Sequence, residues 1–129
     1  MKNKSLTVFV VAVGLLEISG PMFAHHGSAA YETTKKTTVK GTVTNFEFIN
    51  PHTEIDLDVK DDNSNVEKWR AEAGSPNLLA RWGWSKKCLK PGDEITVVGY
   101  RAKNGSKILR SLKVTLPNGQ EVNATGIED

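Results

Sequence analysis

The three histidines of the chain fall in two places: His25 and His26 are adjacent, and His52 follows Asn50-Pro51. Imidazole nitrogens suit copper, zinc and nickel, and copper(II) binds most tightly in the usual order of divalent ions. If the chain is cut after Ala24, His25 becomes the first residue, and its α-amine and ring nitrogen can chelate one metal together. His52 then offers a third nitrogen if the preceding arm folds back. His26 can serve the same ion in another geometry, or a second ion. Glu32, Glu47 and Glu54 could add oxygen ligands, although nothing in their spacing places them. The plainer reading is that His25 and His26 are solvated polar residues and that His52 hydrogen-bonds a turn. The residue types point to copper or another divalent metal on His25, His26 and His52; proximity must come from the fold.

A second concentration is aromatic. Trp82 and Trp84, with Trp69, are all the tryptophans of the chain. Aromatic side chains on an exposed face stack sugars or bases, whereas in a small barrel they more often plug the core. Trp82 is expected in the core. Trp84, with Tyr100 and Arg101, is taken as a candidate ligand-binding face for an oligosaccharide, a peptide or a partner protein. Arg70, Arg81, Lys86, Lys87 and Lys90 form a local basic stretch, but such runs are usually solvated faces.

No catalytic constellation stands out. The chain lacks G-x-S-x-G, H-E-x-x-H, a P-loop and a dinucleotide fingerprint, so no catalytic residue is assigned. Cys88 is the lone cysteine, which excludes an internal disulfide framework and a cysteine-rich zinc site. Lys86 and Lys87 would favour its thiolate, but a buried inert thiol is the expectation. A net charge of +2 is too near neutral for a dedicated DNA-backbone binder, so no nucleic-acid partner is expected.

These residues need elements to position them. At 129 residues and 38% hydrophobic, the chain has the size and composition of one globular domain. Lys2 and Lys4 precede the apolar run Leu6–Leu16, which is shorter than the roughly 20 residues that span a bilayer. That pattern predicts a secretory signal peptide over 1–24, cut after Ala24 or alternatively after Ala30. The destination would be a bacterial periplasm or the exterior, with no membrane anchor after cleavage. Residues 25–38 read as an N-terminal arm, 39–119 as the folded domain and 120–129 as a tail.

Within the domain a first strand is expected from Val39 to Phe48, with Gly41 and Asn45 marking a bend or bulge. Glu54–Lys60 alternates cleanly, placing Ile55, Leu57 and Val59 on one face, and Val66–Ala73 supplies a third strand. Ser75-Pro76 caps a short helix, with Leu78, Leu79 and Trp82 on a shared face. Two more strands follow, near 94–100 and 107–116, and Pro117–Gly119 closes a last hairpin. Three strands, a helix and two strands predict an all-β domain with one short helix: a small five-stranded OB-like Greek-key barrel. An immunoglobulin-like sandwich would want about seven strands and no helix.

The whole stretch from residue 25 to 119 resembles a family of small exported bacterial proteins of unknown function. The resemblance rests on His25-His26-Gly27-Ser28 with Tyr31, Gly41–Thr44, Asn50-Pro51-His52, Gly74–Leu78, Arg81–Trp84, Leu89–Asp93 and Leu116–Gly119. It implies export and a small β-barrel, and it implies no activity. Cys88 departs from it, since the resemblance leads one to expect serine or another small polar residue there. Three functions follow as expectations: a metal-binding protein acting as carrier, buffer or sensor; a barrel binding a small ligand or periplasmic partner without metal; and, behind both, a copper oxidoreductase with a histidine-brace-like site. Oligomeric state is not legible.

Overall fold

The computed structural model describes residues 28–126. The expected signal segment, His25 and His26 lie outside the described residues. A 3-10 turn at Ser28–Ala30 leads into β1 (Tyr31–Glu47). There follow β2 (Glu54–Lys60), β3 (Val66–Glu72), the helix α1 (Pro76–Ala80), β4 (Glu94–Ala102), β5 (Ile108–Thr115) and β6 (Glu121–Asn123). The sheet runs β3-β2-β1-β4-β5-β6, and β3 pairs also with β5, closing a ring. That closing pair is parallel, while the other pairings are antiparallel. The chain therefore forms the small OB-like barrel its element order predicts.

β1 has to be long because it serves two neighbours. Its residues 36–42 pair with β4 and its residues 42–47 with β2, with Thr42 opposite both Glu94 and Asp58. A register shift between Val43 and Asn45 bends the strand at that handover, as a bulge does. Inside the ring, Ile55, Leu57, Val97, Leu109 and Val114 are buried essentially completely. Burying a side chain of that kind contributes about 1.5–3 kcal/mol.

Three expectations need correction. The segment read as an arm is strand from Tyr31 onward, paired with β4. Its residues Glu32–Lys36 are exposed, so no apolar alternation betrayed them; the threonines suit a strand, and the pairings of Tyr31 with Ala102 and of Lys36 with Tyr100 anchor the segment at its two ends. The tail is likewise strand over Glu121–Asn123, hydrogen-bonded to β5, which makes six strands rather than five. The third concerns the tryptophans. α1 ends at Ala80, and Gly83 then turns the chain with φ +88°, a conformation glycine adopts without a steric penalty. Trp84, not Trp82, comes back to the core, at 4% exposure against 39%.

Candidate functional site

A pocket of about 310 Å³ lies where the start of β1, the end of β3, the middle of β5 and the loop before β2 converge. Backbone hydrogen bonds hold its wall together. Thr53 N–H donates to Gly74 O (3.1 Å), Ala73 N–H to Thr53 O (2.8 Å), and Gly74 N–H to Ala124 O (2.8 Å). The loop carrying His52, after the cis Asn50–Pro51 bond, is thereby fixed beside Glu72–Ser75. Ser75 caps α1, its side chain accepting from Leu78 N–H. On the far side, Lys103 N–H donates to Ala30 O (3.0 Å), tying the residue before Tyr31 to the hairpin after β4.

Tyr31 is 4% exposed and its hydroxyl donates to Glu72 Oε2 at 2.8 Å. Burial, followed by that hydrogen bond and the nearby carboxylate charge, pushes the phenol up to about 12, with Arg110 pulling the other way. The phenol therefore stays protonated and keeps donating. Glu72 and Arg110 are register partners on β3 and β5. Arg110 also pairs in register with Tyr100 on β4, and it makes no ion pair or side-chain hydrogen bond among the described residues. Next to it Ser111 borders the pocket and is fully buried, its side chain turned to the opposite, core side of β5 from Arg110 and its Oγ without a hydrogen-bond partner among the described residues. An unmade hydrogen bond on a buried hydroxyl costs about 1–3 kcal/mol. The pocket thus holds a guanidinium without a partner among the described residues, a carboxylate with one oxygen engaged and an imidazole.

A model of a family of unknown function, DUF6152, matches residues 12–110. The chain belongs to that family. No curated protein matches it. The DUF6152 match takes in Tyr31, His52, Glu72 and Arg110 and stops one residue short of Ser111. The family carries no assigned chemistry, so the site in this DUF6152 member has to be argued from its own side chains.

Of the residues singled out in the sequence, His52 is exposed on the rim of the pocket, and its ring has no hydrogen-bond partner among the described residues. His25 and His26 lie outside the described residues. Among the described residues no three histidine, cysteine or acidic side chains cluster in a way that could hold a metal, so a metal on His52 needs the arm. Glu32, Glu47 and Glu54 do not supply such a cluster.

The expected aromatic face does not form. Trp84 is a core residue whose Nε1–H donates to Asn123 O at 2.8 Å and whose ring packs 6.3 Å from Phe46. Arg101 lies 5.0 Å above the Trp69 ring and donates to Gly105 O and Ser106 O in its own hairpin. Tyr100, one residue away on β4, faces the other side of the strand. The outer wall of β2, β3 and β5 carries a shallow groove of about 540 Å³ around Trp69. Its cations are matched: Lys68 with Asp58, Arg70 with Glu54 and Asp56, and Lys107 with Glu67. Cys88 is half-buried, and burial pushes its thiol up, which keeps it protonated and slow to react.

Tyr31, Glu72, Arg110 and Ser111 were missed as site residues. Ser111 left one signal: a serine inside an apolar strand, where a buried side chain is expected to be nonpolar.

Proposed function

We propose that the protein is an exported, periplasmic metal-binding barrel that takes copper or a similar divalent ion on His25, His26 and His52, as a carrier, buffer or sensor. The observation that carries this reading is the placement of His52 on the same pocket as Tyr31. Tyr31 is anchored in β1, and His25 and His26 precede it by only six and five residues. An extended chain covers at most about 3.3–3.6 Å per residue, so both arm histidines are tethered within about 20 Å of the Tyr31 backbone. Such a tether gives the arm imidazoles a high effective concentration at the His52 ring. With the cut after Ala24, His25 adds its α-amine, and the nitrogen donors suit copper(II).

Native intact mass of the exported chain, with and without one equivalent of copper, tests this. A mass beginning at His25 that retains one copper is expected, with copper affinity falling at least about tenfold in His25→Ala and in His52→Ala; that factor is the loss typical of a disturbed metal ligand shell. A mass beginning after Ala30, or a chain that keeps no copper at neutral pH, overturns the proposal.

A further inference from the structure

Arg110 is unlike Lys68, Arg70 and Lys107 on the β2–β3–β5 wall. Lys68, Arg70 and Lys107 each hold a carboxylate across a strand. Arg110 stands in register with Glu72 on the neighbouring strand, yet that carboxylate is held at Oε2 by the Tyr31 hydroxyl. Strands of a sheet lie about 4.8 Å apart, so a positive and a negative group share one small pocket without neutralising each other directly.

From these groups we infer that the pocket binds a compact zwitterion, a small α-amino acid. Its carboxylate would lie against the Arg110 guanidinium, which presents paired N–H donors suited to a carboxylate. Its ammonium would lie against Glu72, whose Oε1 remains available to accept. Tyr31 fixes the Glu72 carboxylate from the other side and, being held protonated, adds no charge. A simple anion would meet Glu72 and a simple cation would meet Arg110, whereas a zwitterion satisfies both. A cavity of about 310 Å³ sits at the small end of ligand sites, which favours a ligand of few atoms. The site uses no metal and does not rest on the copper reading.

The test uses the full exported chain after chelator treatment, titrated with glycine, L-alanine, acetate and methylammonium while backbone amide shifts are followed by NMR. Glycine or alanine is expected to give saturable shifts at Glu72–Ser75 and Arg110–Ser111, with acetate and methylammonium at least about tenfold weaker, since each leaves one charged partner unmet. Arg110→Gln and Glu72→Gln should each weaken binding at least about tenfold. His25→Ala should leave amino-acid binding unchanged while weakening copper binding, which separates the two proposals. The zwitterion reading is overturned if no probe gives saturable shifts at these residues, if acetate binds as well as alanine, or if both Arg110→Gln and Glu72→Gln bind as the parent does. Should Arg110→Gln fail to fold, the probe series on the parent and the Glu72→Gln titration decide alone.

Discussion

Glu72 and Arg110 are partners across the parallel β3–β5 pairing, but the Glu72 carboxylate is engaged by Tyr31, 41 positions away in sequence. The three residues come from the first, third and fifth strands. Their meeting is a consequence of ring closure, because only the β3–β5 pairing brings the end of β3 beside the middle of β5.

Tyr31 makes the fold sensitive to alkali. Its phenol is raised from 10.0 to about 12 in the folded chain, first by burial. A raised folded value means that the folded state holds the proton more tightly, so the stabilisation is complete below pH 10 and is lost as pH rises from 10 through about 12. In a Tyr100→Phe chain, where Tyr31 is the sole tyrosine, ultraviolet titration of tyrosinate should have its midpoint near 12. A midpoint near 10 would contradict the burial and the Glu72 hydrogen bond.

Gly99 is required by close approach rather than by its φ. A Cβ built there would lie 2.3 Å from Arg110 O and 2.9 Å from its carbonyl carbon. Both are backbone atoms of the adjoining strand, at the register shift between β4 and β5. Gly99→Ala should therefore destabilise by about 1–3 kcal/mol, the usual cost of overpacking, and should also disturb the Arg110 side of the pocket. Urea denaturation of the variant checks this, and an unchanged midpoint would count against the tight β4–β5 contact.

Trp84 fastens the segment after α1 to the C-terminal strand. Its Nε1–H donates to Asn123 O, and its ring packs against Phe46. Trp84→Phe removes the hydrogen bond, worth about 1 kcal/mol, and leaves unfilled core volume, for a total near 2–3 kcal/mol. Trp82→Phe, at an exposed position, should shift stability by less than about 0.5 kcal/mol. Thermal melts of both variants distinguish the two tryptophans, and equal losses would contradict their placement.

Most of the scaffold was legible because it depends on local chemistry. Ile55, Leu57 and Val59 alternate with Glu54, Asp56 and Asp58, and that period fixed β2 to the residue. Ser75-Pro76 marked the start of α1 through its cap, and the order of the elements indicated an OB-like barrel. The first half of β1 was not legible, since Glu32–Lys36 bury no apolar face and are held at their ends by the pairing of Tyr31 and Lys36 with β4. The exchange of Trp82 for Trp84 turned on where α1 stops and how Gly83 turns the chain, which helical spacing alone does not contain.

The candidate site divides in the same way. The sequence by itself determined which residues can ligate a metal, that His25 and His26 are adjacent, and that His52 sits at a strand-ending Asn-Pro. Tertiary structure alone decided that His52 shares a pocket with Tyr31, Glu72, Arg110 and Ser111. Side-chain chemistry and strand period are carried by neighbours along the chain, so they can be read in one dimension. A pocket built from β1, β3, β5 and a loop exists only after the barrel closes, because that closure brings residues dozens of positions apart into contact.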